Sequence, residues 1–216
     1  KNQVKEDIYI RLNAFIDGAG EKSWFHSDPV HLYIFLSSKP RKKLDSLSGA
    51  SMNIVSHERI SKRSMPPECK LGANYINSRY GQIEASKKGF DLPVFLNYQG
   101  NVSESAGSCI FIIKDNVLIT PTTDCSILNS ITRKVILEIA KKNNISTCER
   151  EVKKSELLNC NEIFLCGTTA EIIPVTNIDN KLVGDGKVGP LTKLLLSAYL
   201  DRVTKISELT TPVDIK

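Results

Sequence analysis

What this 216-residue sequence lacks narrows it first. No apolar run approaches the roughly 20 residues that a helix needs to cross a bilayer, so no membrane span is expected. Histidine is scarce: His57 has no cysteine or second histidine close by, and no cysteine lies near His26 or His31. None of the six cysteines forms C-x-x-C, and Cys160 and Cys166 have no paired histidine motif, so a zinc site is not expected. An even number of cysteines suits a disulfide framework only in a small secreted domain. In a chain of this size, whose first residues KNQVKEDIYIRLNAF lack a signal-peptide layout, free thiols in a reducing cytoplasm are expected instead. Aromatics make up 6% of the chain, and none is interleaved with the basic clusters Lys39–Lys43 and Lys87–Lys88. With a net charge of only +5, those clusters read as solvated surface rather than a nucleic-acid face. No long-period repeat is visible. The chain opens on Lys1 rather than Met, and we expect it to be part of a longer protein.

What is present is an ordinary globular balance, 41% hydrophobic and 25% charged, carrying many short periodic segments. Residues 4–16 alternate apolar and polar over Ile8, Ile10 and Leu12, as a half-buried strand does, and 29–37 read as a second strand across a turn at 17–25. The stretch 37–50 is polar, basic and turn-rich, the composition of a connector. Beyond it a strand is expected near Met52–Val55. A helix follows over Leu71–Lys88, with Ala73, Ile76, Tyr80, Ile83 and Ala85 near one side. LPVFLN, VSES, SCIFIIK and VLITP read as strands, with a hairpin turn at Lys114-Asp115-Asn116. A helix capped by Asp124 or Ser126 is predicted through ILNSITRKVILEIAKK, with Ile127, Ile131, Val135, Ile139 and Ala140 as its apolar face. STCEREV reads as a strand, KKSELLNC as a short helix, EIFLCGTTAEIIPVTNID as strand, turn and strand, and Pro190 opens a last helix. The mixture predicts an α+β or mixed α/β fold.

The chemistry concentrates in Met65–Phe111. Lys70 follows a Pro-Pro pair at the threshold of a helical pattern, and Glu104 sits in a Ser-Glu-Ser segment between two strand-like runs. A lysine held in a pocket can form a Schiff base with an aldehyde cofactor, and a buried carboxylate can keep a pyridine nitrogen protonated. Together with a phosphate-binding element, they would make a pyridoxal 5′-phosphate site. Lysine is protonated at neutral pH, so the role calls for desolvation or a neighbouring positive charge. By residue type alone, each is equally a surface charge.

The order K-x-x-x-N-Y, V-S-E, S-I-T-R, G-T-T-A-E-I-x-P-V, G-D-G-K-V-G-P-L-T resembles the class IV (fold type IV) pyridoxal phosphate aminotransferases, most of all the branched-chain amino acid aminotransferases. The resemblance runs from about Tyr9 to Asp201. It implies a D-amino acid aminotransferase-like fold in two domains: residues 1–36 as the remnant of an incomplete small N-terminal domain, 37–50 as the connector, and 51–216 as the large cofactor-binding domain. It further implies that Lys70 is the Schiff-base residue, that Glu104 accepts the pyridinium N–H, and that Tyr75 hydrogen-bonds the phenolic oxygen. Ile131 and Thr132 would clamp the phosphate through their backbone, Thr168 would add a hydroxyl, and Thr168 and Thr169 would meet the substrate carboxylate. Tyr9 and Arg11, in Y-I-R, would face the substrate. Tyr9 is equally read as core-edge packing, Tyr75 as packing on its helix, Arg11 as a surface cation, and the threonines as ordinary capping and turn chemistry.

The implied activity is transamination of leucine, isoleucine or valine with 2-oxoglutarate in a cytoplasmic homodimer. D-amino acid aminotransferases, aminodeoxychorismate lyase and a non-catalytic paralogue are the other readings of the same scaffold. Departures from the family pattern are Ser105 after Glu104, Cys109-Ile110-Phe111 where N-I-F is frequent, and Ser130 where glycine is frequent. The resemblance implies that the family's phosphate-binding arginine would lie in an N-terminal part expected to precede these residues.

Overall fold

The computed structural model describes residues 7–16, 29–40 and 48–204, which fall into two units, 1–46 and 47–216. His26, the turn read over 17–25 and the centre of the 37–50 stretch lie outside the described residues. In the first unit, β1 (Ile8–Ile16) pairs antiparallel with β2 (Val30–Ser38) in unbroken register. The expected half-burial of β1 is not found. Ile10 and Leu12 are 61% and 63% exposed, because a two-stranded ribbon has no second layer of its own to cover either face. β2 runs on to Ser38 and β3 starts at Ala50, both inside the stretch read as a connector.

The second unit is built on a mixed sheet in the order β4-β3-β9-β8-β5-β6-β7. Its strands are β3 (Ala50–Ile54), β4 (Leu92–Val94), β5 (Cys109–Lys114), β6 (Val117–Thr120), β7 (Thr147–Glu149), β8 (Glu162–Gly167) and β9 (Glu171–Ile178), with β10 (Lys181–Leu182) paired to β9. The continuous apolar run of β5 is explained by burial on both faces. Cys109, Phe111 and Ile113 join Phe164 and Cys166 of β8 under two helices, α2 (Ile131–Lys142) and α4 (Pro190–Thr204). Ile110 and Ile112 join Ile163, Leu165 and Val175 in the core on the other face. Phe111 and Phe164 are cross-strand partners, and their rings stack 5.0 Å apart. The β5–β6 hairpin turns where expected. Asp115 and Asn116 both take positive φ (51° and 61°), the two-residue geometry that matches the twist of the flanking strands. VSES is not a strand; its residues are buried in irregular backbone, and α3 is only Lys154–Leu157. Among the described residues no helix is long and apolar enough to cross a membrane.

Two helices differ from their sequence reading in ways that shape the site. α1 spans Asn74–Lys87 and buries Asn74, Ser78, Gly81 and Ala85, while Ile76, Tyr80 and Ile83 of the expected apolar face are exposed. The reason is Gly81: a Cβ there would run into the Phe95 ring, so the helix packs closely on its small and polar side. Gly81→Ala is expected to lower stability by about 1–3 kcal/mol, overpacking outweighing alanine's better helix propensity. A fall in the denaturation midpoint, with Gly72→Ala unaffected by crowding as the control, checks it.

α2 starts later than expected. Asp124 lies in a single 3-10 turn, Thr123–Cys125, and Ser126 takes a left-handed φ of 66° that ends it. Ser130 is the actual N-cap, its Oγ accepting from the Arg133 N–H at 3.3 Å. Ile127 is therefore buried outside the helix, and Ile131 is 79% exposed at its first position. The face that packs inward is Thr132, Arg133, Ile136, Ile139 and Ala140.

Candidate active site

An open pocket lies where the 66–71 loop, the start of α1, the 104–109 segment, the cap of α2 and the turn after β8 converge. Lys70, Tyr75, Glu104, Ser130 and Thr168 all line it. Residues dispersed over a hundred positions of sequence thus meet in one place.

Lys70 lies on the loop rather than on the helix. The loop is held by its own turn bonds, Cys69 N–H to Pro66 O and Leu71 N–H to Cys69 O, and by Asn74. The Asn74 amide donates to Pro66 O (3.1 Å) and Cys69 O (3.0 Å), the carbonyls just before Lys70, while its buried Oδ1 has no partner. Of the two conditions named for Lys70, desolvation or a neighbouring positive charge, the first is not seen: Lys70 is exposed on the pocket's rim. Its ammonium lies 5.6 Å from the Tyr75 ring centroid, a cation–π distance. Tyr75 therefore meets Lys70 through its ring face.

Glu104 is 4% exposed. Its backbone is pinned by the Phe95 N–H donating to Glu104 O (3.0 Å), and Ser105 Oγ donates to Pro93 O (2.6 Å) beside it. Oε1 is paired with Arg59 Nη2 at 2.7 Å, and Oε2 accepts from the Leu128 N–H at 3.0 Å and the Cys109 thiol at 3.9 Å. Burial raises the Glu104 pKa above the ordinary carboxylate value, against the pull of the Arg59 charge, the Leu128 N–H and Lys70. Burial, with Glu104 alongside, pushes Cys109 up to about 12, so it stays a thiol and a donor. Every contact of the carboxylate is a donor, which is the environment of an anion.

At the side of the pocket, α2 begins under Ser130. The Arg133 N–H goes to Ser130 Oγ and the Lys134 N–H to Ser130 O, which leaves the first two amides, Ile131 and Thr132, without an intrahelical acceptor. Donors of this kind at the positive end of a helix suit a phosphate, but the pocket reaches α2 only at Ser130, and neither Ile131 nor Thr132 lines it. Arg133, the last residue of S-I-T-R, points inward: Nε donates to Thr120 Oγ1 (3.1 Å), Nη2 donates to Pro121 O (2.8 Å), and Nη2 also pairs with Glu149. It fastens the helix start to the end of β6. Thr168 and Thr169 occupy the turn between β8 and β9, exposed, and Thr168 lines the pocket. A Cβ on Gly167 would sit 3.2 Å from Gly107 O, so glycine lets the two loops close on each other. Tyr9 and Arg11 stand on β1 of the first unit.

Sequence reasoning passed over Arg59 and Asn74. Asn74 lies inside the K-x-x-x-N-Y motif, and an asparagine at a helix start close behind a key lysine was the available signal. Arg59 carries none, since its partner is 45 residues away in sequence and only the fold brings them together.

A buried carboxylate held by an arginine, an exposed lysine and the Ser130 cap of a helix thus line one pocket on a mixed α/β fold. The amino-transferase class IV family profile matches residues 1–178, and the chain belongs to that family. It is 35% identical over 206 residues to a "Probable branched-chain-amino-acid aminotransferase" of Aquifex aeolicus, covering 94% of this chain and 65% of that protein. The structure is similar to that of a branched-chain aminotransferase from Thermoproteus uzoniensis with norvaline (TM-score 0.86, 32% identity, 94% of this chain and 66% of that one). It is also similar to the Thermobaculum terrenum branched-chain amino acid aminotransferase in its pyridoxal phosphate form (TM-score 0.84, 35% identity, 94% and 66%). The chain spans about two thirds of the length of these relatives. Class IV aminotransferases use pyridoxal 5′-phosphate, and the residues present fit it. Lys70 and Glu104, which line the pocket, are the residues that would hold its aldehyde and its ring nitrogen, with the start of α2 beside them at Ser130.

Proposed function

We propose that the whole protein transfers an amino group from a branched-chain L-amino acid (leucine, isoleucine or valine) to 2-oxoglutarate. The observation that carries this reading is that Lys70 and Glu104 line one pocket, the first exposed, the second buried and held by Arg59 and the Leu128 N–H. The branched-chain relatives supply the substrate class. When bound, pyridoxal phosphate supplies an aldehyde carbon and a protonatable ring that draws electrons from the substrate's alpha carbon. The chain's own residues do the rest. Ile131 and Thr132 hold the phosphate by their N–H groups and Thr168 by its hydroxyl. Glu104 accepts the ring N–H and keeps it protonated. Lys70 Nζ would carry the proton from the substrate's alpha carbon to the carbon that was the cofactor's aldehyde, and Tyr75 would hydrogen-bond the cofactor's phenolic oxygen. Tyr9, Arg11 and Thr169 recognise carboxylates of the two substrates. Residues 1–36 then belong to a small domain, 37–50 to its connector and 51–216 to the cofactor domain. The exposed apolar Ile76, Tyr80 and Ile83 of α1 support a homodimer, and six free thiols, four of them buried, support a reducing cytoplasm.

The test uses the full-length protein. Adding pyridoxal phosphate is expected to give a visible absorbance band that Lys70→Ala abolishes, and leucine or valine with 2-oxoglutarate should be turned over. Release of pyruvate would instead mark a lyase. Turnover of D-amino acids alone would mark the opposite stereochemistry, and a band without turnover of any donor would mark a binding scaffold.

A further inference from the structure

Glu104 is not alone at the bottom of the pocket. Arg59, itself 7% exposed, gives it a 2.7 Å ion pair through Nη2. Its other terminal nitrogen, Nη1, donates to Asn77 Oδ1 (3.2 Å) and Ser78 Oγ (3.3 Å), both on α1. Its own backbone N–H is fixed to Leu96 O at 2.8 Å. This is not a surface salt bridge: a carboxylate so deeply buried would take up a proton unless an opposite charge stood against it. The titratable groups that face Glu104 are Arg59, Lys70, Cys109 and Cys166. The two thiols are buried and bring no positive charge, and Lys70 is exposed on the rim. The compensation therefore falls to Arg59. The same helix reaches the other functional group, since Asn74, one turn before Ser78, grips the carbonyls that precede Lys70. The polar buried side of α1 thus joins both ends of the pocket: Glu104 through Arg59, and the Lys70 loop through Asn74.

We infer that Arg59 is a positioning residue that keeps the Glu104 carboxylate charged and, through Ser78 and Asn77, holds it in a fixed place relative to the Lys70 loop. The role rests on the reading that Glu104 receives the ring nitrogen of pyridoxal phosphate.

The experiment measures pyridoxal phosphate affinity by absorbance titration as a function of pH, alongside thermal melting without cofactor. It compares the full-length protein with Arg59→Gln, Arg59→Lys, Glu104→Gln and the double variant Arg59→Gln/Glu104→Gln. Arg59→Gln is expected to bind about 10- to 100-fold more weakly, the range found for residues that orient a ligating group. The acidic limb of its binding profile should move to higher pH, because Glu104 without its cation holds a proton more readily. Arg59→Lys, which keeps the charge, should restore affinity to within a few-fold. In the Glu104→Gln background, replacing Arg59 should add no further loss. Binding that is unchanged in Arg59→Gln, or a loss of equal size with Glu104 already replaced, overturns the proposal. If Arg59→Gln gives no cooperative melt, the double variant, which removes both charges, should melt cooperatively. Its failure to do so would show that Arg59 serves the fold apart from Glu104 and would also overturn the proposal. Failure of the cofactor reading is seen separately, as an unsubstituted protein that gives no band with pyridoxal phosphate.

Discussion

Glu104→Ala is expected to destabilise the protein by about 3–5 kcal/mol, because it leaves the Arg59 guanidinium buried without its counter-charge. The hydrogen bonds from Arg59 to Asn77 and Ser78 remain, but neither acceptor is charged. The Leu128 N–H loses its acceptor in the same stroke, adding to the cost. Turnover should fall on the order of 10²–10³-fold as well, the size seen when one preorganised electrostatic partner is removed from a reacting centre. Denaturant midpoints and steady-state rates check the two effects separately. Glu104→Gln distinguishes them: it keeps an acceptor for Leu128 and much of the volume, so it should recover part of the stability while remaining poor in turnover. Stability that is unchanged in Glu104→Ala would contradict a buried ion pair at this place.

The second large effect is expected at Arg133. Arg133→Leu removes the guanidinium that ties the start of α2 to Thr120 and Pro121 at the end of β6. Thr120 is fully buried, so its hydroxyl keeps its bond to Ile110 O but loses a donor, and the Pro121 carbonyl loses its partner. We expect a loss of about 2–4 kcal/mol from these unpaired groups. The first two amides of α2 should also lose their fixed position. The measurable consequence is selective: the affinity advantage of pyridoxal phosphate over unphosphorylated pyridoxal should shrink by about tenfold, or roughly 1.4 kcal/mol. Binding of both ligands weakened equally would show that α2 does not hold the phosphate.

These two residues also show what could be read from the sequence and what could not. Glu104, Lys70 and S-I-T-R were legible because their order along the chain is a pattern, and the strands beside them carry unbroken apolar runs. The start of α2 was misplaced by several residues because Asp124, Ser126 and Ser130 are all competent caps, and only the left-handed backbone at Ser126 decides among them. The inward face of α1 was misread for a different reason. Apolar spacing points to Ile76, Tyr80 and Ile83, but Gly81 against Phe95 admits the closer approach, and the polar residues on that side find partners in Arg59 and the Lys70 loop. Arg59 stayed invisible because its ion pair bridges segments that are remote in sequence. The exposure of Lys70 is likewise a matter of where the loop ends up, which no local pattern records.

The central pairing of β5 with β8 has a consequence for how the protein matures. Glu104 leads into β5, Thr168 follows β8, and the two strands come from opposite halves of the described cofactor unit. Until that long-range pairing closes, the loops that must converge are separate, however early the helices form. Capture of a small ligand by the nascent chain should therefore lag behind the appearance of helical signal during refolding. An excess of that ligand should draw the last step forward by mass action without hastening the first.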